Sequence, residues 1–422
     1  MKNFALIIFI ATYIMLLIFP KKRPHIALLS ASLFILLGIL PYDKIFQAVD
    51  WNVLLMIAGT MGIANLFIES KMPAYLSDIL IDRMPNMKWV IISLALFAGA
   101  ISAFIDNVST LLIVAPIALS FSRKLKINPT PIIISIAISS NLQGAATLVG
   151  DATSIMLGGY ANMSFVDFIF LNGKPGIFWA VELGAIASAF VLLYLFRKET
   201  RPIHLHEKEK VEDIFPTYLI LSMILLLILA SFIPNKPLVT NGLICVSLFV
   251  IGVIREYLLK KDGNIFRKVL QEIDYFTLLL LLGLFMVIGG IVEVGIVKDI
   301  SQLFVKVGGK NLFLTFNLIV WASVFFSAFI DNIPYVATML PVVQGISALL
   351  GIEPYLLYFG LLSGATLGGN ITPIGASANI AGIGILRKEG YQVSVWEFMK
   401  YGLPFTLSAV IVGSIVIWIF WR

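Results

Sequence analysis

Charge is scarce in this chain. Asp, Glu, Lys and Arg together make up 13% of its 422 residues, against roughly a quarter in soluble domains. A soluble globular protein is excluded, because 59% of the residues are hydrophobic and the mean hydropathy is +0.97. Cysteine occurs once, at Cys245 inside an apolar run, so no disulfide framework can form and a small buried residue is expected there. Histidine occurs three times, at His25, His204 and His206, all in loops or at the ends of apolar runs. With no nucleophile and base inside the apolar sequence, an enzyme is not expected. No Gly-x-x-x-x-Gly-Lys-Ser/Thr phosphate loop occurs, so driving energy must come from an ion gradient unless a separate ATPase subunit supplies it. The net charge is +6, yet the basic residues lie in short segments between apolar runs with no basic face of interleaved aromatics, so nucleic acid is not an expected partner.

What the chain has in abundance is long apolar sequence. Phe4–Phe19, Ile177–Phe196, Tyr218–Ile233, Phe276–Val292 and Leu403–Trp421 approach or reach the ~20 residues that cross a ~30 Å hydrocarbon core. None alternates apolar with polar residues as a membrane barrel would, so an all-α integral membrane protein is expected. The first run has Lys2 ahead of it and Pro20-Lys21-Lys22-Arg23 behind it, and reads as a retained span of a multi-pass plasma-membrane protein.

An internal repeat is visible by eye. Ser-Ala-Phe-Ile-Asp-Asn occurs at 102–107 and again at 327–332, each copy followed nine residues after its Asn by a proline, Pro116 or Pro341. An Asp-Asn pair inside apolar sequence is costly unless it lines a polar cavity, so its duplication points to a transport pathway shared by two halves. The basic segments at Lys21-Lys22-Arg23, Arg123–Lys126, Arg197–Asp213, Arg255–Lys268 and Arg387-Lys388 read as cytoplasmic. They can share one side only if each Asp-Asn segment dips into the membrane and turns back.

The first half (1–196) then has spans near 4–19, 25–40 and 51–69, a hairpin at 88–121, a broken helix at 130–159 and a span at 177–196. A cytoplasmic linker follows at 197–214, with His204 and His206 read as part of a solvated loop and no metal expected beyond Na⁺. The second half (215–422) has spans at 216–233, 238–256 and 275–294, a hairpin at 312–349, a broken helix at 354–385 and a span at 402–421. About five crossings and one hairpin per half force the second copy to insert upside down, so the repeats have inverted topology. Asp50 and Asp274, and Glu69 and Glu293, match between halves and are open to reading as site carboxylates or as ordinary interfacial residues.

A second polar patch follows each hairpin. Aligning Thr147 with Thr366 places Gly150 on Gly369, Asp151 on Asn370 and Thr153 on Thr372. Glycines let a membrane helix unwind and expose carbonyls to cations and helix N-termini to anions. The expected cation ligands are Asp106, Asn107, Asp151, Asp331, Asn332 and Asn370. The expected substrate ligands are Asn107, Ser109, Thr147, Ser154, Asn332, Thr366, Thr372, Ser377 and Asn379. By this reading Asp331→Asn abolishes cation-driven flux in a folded protein.

Asp106-Asn-Val-Ser-Thr-Leu-Leu-Ile-Val-Ala-Pro116, Asp331-Asn-Ile-Pro-Tyr-Val-Ala-Thr-Met-Leu-Pro341 and Gly368-Gly-Asn-Ile-Thr-Pro-Ile-Gly-Ala-Ser-Ala-Asn379 resemble the ion transporter superfamily, in its branch of arsenite permeases, the melanocyte P protein and citrate-transporter-like proteins. The resemblance covers nearly the whole chain. It implies two inverted repeats, a re-entrant hairpin and an unwound helix in each, a homodimer and an elevator-like movement. The chain departs from the dicarboxylate branch, whose tips carry Ser-Asn-Thr, by Asp106-Asn107-Val108 and Asp331-Asn332-Ile333. It also has Gly150-Asp151-Ala152-Thr153-Ser154 where relatives read Gly-Asp-Pro-Pro-Asn. The expected activity is secondary transport of a small anion coupled to Na⁺ or H⁺, without a cofactor, with Na⁺/H⁺ antiport by the buried aspartates as the alternative.

Overall fold

The computed structural model describes residues 1–201, 209–261, 271, 273–309 and 311–422. His204 and His206 lie outside them, as do parts of the basic segments 197–213 and 255–268. Along the first half run α1 (Lys2–Ile18), α2 (Arg23–Leu36), the single turn α3 (Ile45–Ala48), α4 (Trp51–Glu69) and α5 (Met72–Asp82). The arms α6 (Met87–Ser102) and α7 (Asn107–Leu125) follow, then α8 (Thr130–Gly144), α9 (Ala152–Tyr160) and α10 (Ile177–Leu195). The second half runs α11 (Phe215–Ser231), α12 (Thr240–Lys260), α13 (Tyr275–Glu293) and α14 (Ile296–Gly308). Its hairpin arms are α15 (Leu312–Ser327) and α16 (Asn332–Leu350), followed by α17 (Tyr355–Gly368), α18 (Ser377–Lys388) and α19 (Val395–Trp421).

The halves repeat each other down to their caps. Asp50 and Asp274 accept from Val53 N and Thr277 N to start α4 and α13. Asn86 and Asn311 start the first hairpin arms, and Asp106 and Asp331 start the second arms. Such side chains satisfy amide groups that would be orphaned at the first turn, which matters more in lipid than in water. Two helices were not legible in the span pattern: α5 and α14, each too short to cross and each entered through a left-handed residue, Lys71 or Gly295. Seven helices among the described residues are long and apolar enough to cross a membrane, and the elbow joining α1 to α2 bends by 119°.

Contacts at the helix ends sort the loops onto two faces. On one, Met87 N and Lys88 N donate to Arg201 O and Glu199 O, and Glu212 N donates to Ser70 O. Arg123 pairs with Glu389, and Arg255 with Asp213. The exposed basic residues of these segments therefore gather at one end of the bundle. At the other end Lys44 pairs with Glu293 at 2.6 Å, Trp421 Nε1 donates to Pro175 O at 2.8 Å, and Tyr355 and Phe313 lie against Trp421 and Trp418. Met87 and Lys88, at the open end of the first hairpin, bond to the 199–201 segment, and Phe313, at the open end of the second, lies against Trp418.

Burial follows from position in the bundle. In α8 every residue but Pro131 is buried, and in α17 every residue but Tyr355, so their all-round apolar surfaces face protein. α10 and α11 instead expose Phe190, Leu221 and Leu225, as lipid-facing helices do. The broken helices are the centre of the molecule.

Candidate functional site

The two breaks have the same construction at a constant spacing of 225 residues, the spacing of the hairpin tips (106 to 331). Thr147 Oγ1 donates to Ala103 O, and Thr372 Oγ1 donates to Ala328 O. Val149 N and Ile374 N each donate back to that threonine at 3.4 Å. Each threonine ties an unwound segment to the hairpin tip of its own half, satisfying backbone groups that unwinding would strand in an apolar interior. Gly150 and Gly375 fill the same place: a Cβ on Gly150 would lie 2.6–2.8 Å from the carbonyls of Gly144, Ser102 and Ala103. One on Gly375 would meet those of Gly369, Ser327 and Ala328 at 2.6–2.9 Å.

This geometry corrects the pairing read from letters alone. Thr147 corresponds to Thr372 and not to Thr366, Gly150 to Gly375, and Asp151 to Ala376. Asp151 and Ala376 share one conformation, φ −143° with ψ 150° and 148°, ahead of α9 and α18. The shared Thr-x-x-Gly letters lie six residues out of register in the second half, and the backbone's need for a threonine-capped break decides the true correspondence.

Between the tips and the breaks lies a cavity of about 300 Å³. Asp106, Asn107, Asp151, Asn332 and Ser377 line it, together with Asp274, Asn141, Thr60 and Thr277. The first residues of five helices (α7, α9, α13, α16 and α18) also reach its wall, so five positive helix ends converge on one space. Asp106 Oδ1 accepts from Val108 N and Ser109 N at 3.0 Å each, whereas its Oδ2 is buried without a hydrogen-bond partner. Ser109 is buried in the first turn of α7 and meets this carboxylate through its backbone N–H. Asp151 Oδ2 accepts from Thr153 Oγ1 at 2.6 Å and Asn332 Nδ2 at 3.3 Å. Asn107 Oδ1 accepts from Ser102 Oγ at 2.8 Å.

The other expected ligands face away from the cavity and hold the breaks together. Asn370 Oδ1 accepts from Asn141 at 2.8 Å while its Nδ2 donates to Ile138 O at 3.0 Å. Asn379 accepts from Asn141 and donates to Gly369 O and Thr372 O. Ser154 Oγ donates to Gly144 O, the position equivalent to the Asn379 bond with Gly369. Thr366 and Thr153 meet at 3.3 Å, joining the halves.

Asp331 differs from its counterpart Asp106. Its Oδ1 accepts from Ile333 N at 3.2 Å. Its Oδ2 accepts from Arg23 Nη1 at 2.7 Å and Ser377 Oγ at 3.2 Å. Arg23 is the residue that corrects the topology reading: Lys21 and Lys22 are exposed, but Arg23 is 7% exposed and turned inward. Its sequence neighbours made it look like one more loop charge, and the adjoining Pro24 gave no sign of the inward turn. Asp274, open in sequence to reading as a site carboxylate or an interfacial residue, lines the cavity. Glu182, which accepts from Gln143 Nε2 at 2.9 Å, passed unnoticed as a single carboxylate in a span.

A polytopic helical bundle with carboxylates and amides gathered in a cavity between its helix breaks has the build of a membrane transporter, and comparison with known proteins makes that class specific. A family model described as "Citrate transporter" matches residues 13–362, and the chain belongs to that family. An "uncharacterized transporter" of Mycobacterium tuberculosis strain H37Rv is 30% identical over 99% of both chains. The "P protein" of Homo sapiens is 24% identical over 87% of this chain and 53% of its own length. Among solved structures the fold resembles the YdaH transporter of Alcanivorax borkumensis, with TM-score 0.61, 13% identity, and coverage of 90% of this chain and 87% of that one. It also resembles MtrF of Neisseria gonorrhoeae, with TM-score 0.58, 14% identity, and coverage of 92% and 84%. The family is one of transporters rather than enzymes, and the chain is a multi-pass membrane protein.

Proposed function

We propose that the protein is a secondary active transporter that moves a small anion, coupled to a Na⁺ or H⁺ gradient, by elevator-like alternating access. The observation that carries this reading is the cavity itself, where five helix N-termini meet buried carboxylates. Helix N-termini favour an anion, and carboxylates favour a cation, so each makes room for the other's ligand. In this reading Asp106 and Asp151, with Asn107 and Asn332, hold the coupling cation. Asp106 Oδ2 is a buried acceptor with no hydrogen-bond partner among the described residues. In the same reading the anion is received by Ser377 and the N-terminus of α18, whose cap Ala376 provides no side-chain acceptor. The family description favours a carboxylate as that anion. The inverted halves form one carrier unit, and two such chains form the homodimer.

Na⁺/H⁺ antiport is the second reading, favoured by Asp106, Asp151 and Asp274 around one cavity. A carboxylate can exchange a proton for Na⁺ as its surroundings alternate. Reconstitution of the full chain into liposomes under imposed Na⁺ and pH gradients separates the two. Uptake of a labelled carboxylate such as citrate, dependent on either gradient, supports anion transport. Proton movement on adding Na⁺ alone, with no anion taken up, overturns it in favour of the antiporter.

A further inference from the structure

The two hairpin tips share backbone, cap and flanking sequence, yet their carboxylates are treated differently. Asp106 keeps one buried oxygen without a partner. The matching oxygen of Asp331 is occupied by a guanidinium at 2.7 Å, with Arg23 and Asp331 side chains 8% and 3% exposed. Arg23 stands at the elbow between α1 and α2, and its Nε is fixed by Leu16 O at 3.2 Å. Tyr13 on α1 donates to Pro334 O at 2.8 Å, so the elbow is seated directly on the second tip. The corresponding connection in the second half, between α11 and α12, carries Lys236. That ammonium turns back to Ala230 O at 3.0 Å and Asn241 Oδ1 at 3.4 Å, and no Lys or Arg pairs with Asp106 among the described residues.

We infer that Arg23 is a tethered counter-cation, which in this conformation occupies at the second tip the place that a mobile cation takes at the first. The inference rests on the cation-coupled reading above and deepens it. A buried carboxylate in a membrane needs a cation or a proton. Arg cannot lose its proton, so Asp331 stays neutralised whatever the ion gradient. The resting carrier then takes its mobile cation at the first tip alone. The duplicated fold has two equivalent tips, but Arg23 leaves only one of them open to a mobile ion.

Equilibrium binding of ²²Na⁺ to the purified full-length protein tests this. Wild type is expected to bind about one ion per chain, and Asp106→Asn about none. Arg23→Gln frees Asp331 and is expected to bind about two. Arg23→Lys, which keeps the charge, and the double variant Arg23→Gln/Asp331→Asn are expected to stay at about one. Wild type binding while Arg23→Gln gains nothing overturns the inference and leaves cation coupling standing. No binding by wild type overturns Na⁺ coupling at the first tip and the inference with it. Should Arg23→Gln not fold, the wild-type count decides: about two ions per chain, one of them lost in Asp331→Asn, overturns the inference.

Discussion

At the scale of single residues, the two tip aspartates are alike in sequence and unlike in surroundings. Asp106→Asn removes a charge whose Oδ2 has no partner, so thermal stability is expected to stay near wild type while cation-driven flux is lost. Flux that persists would remove Asp106 from the site. Asp331→Asn strands the buried Arg23, and breaking a buried pair costs about 3–5 kcal/mol. A fall in unfolding temperature is therefore expected along with the loss of flux, which revises the expectation from sequence that this variant simply stays folded. An unchanged unfolding temperature would contradict the pair as drawn. The hexapeptide repeat showed where polar groups enter the membrane. It could not show that one copy is answered by an arginine 308 positions away, because a basic residue beside two exposed lysines carries no local mark of burial.

At the scale of elements, the hairpins and breaks were legible because polar and small residues interrupt otherwise apolar runs. Helix pairs separated by short breaks occupy Met87–Leu125, Thr130–Tyr160, Leu312–Leu350 and Tyr355–Lys388. What escaped was the division of labour within the breaks. Thr147 and Thr372 look like ligands in sequence, but each hydroxyl is spent on a hairpin-tip carbonyl. Thr372→Val is expected to cost about 1–3 kcal/mol of stability, the penalty for leaving Ala328 O unsatisfied, with little change in the substrate concentration for half-maximal transport. A large rise in that concentration with unchanged stability would return Thr372 to the binding site. Gly150→Ala pushes a methyl into three carbonyls and is expected to destabilise by about 1–3 kcal/mol, read by thermal unfolding in detergent. An unchanged unfolding temperature would contradict the close packing of break and tip.

At the scale of the whole molecule, the count of spans and the placement of basic segments indicated two halves running in opposite senses. Helix-end contacts group some of the described loops together, while the 119° bend between α1 and α2 departs from the two separate spans expected there. α5 and α14 were missed because helices of 11 and 13 residues give no spanning signal, and the elbow at Arg23 was read as a loop. The central claim is that two hairpins enter from opposite faces and meet around a cavity that holds Asp106, Asp151 and Asn332. Labelling with a membrane-impermeant maleimide tests it most directly, with single cysteines at the exposed positions Pro85, Arg123, Asn311 and Gly351, in turn, in a Cys245→Ser background. Positions 85 and 123 are predicted to react from one compartment, and 311 and 351 from the other. Reaction of 85 and 123 from different compartments, or of all four from the same one, would contradict it.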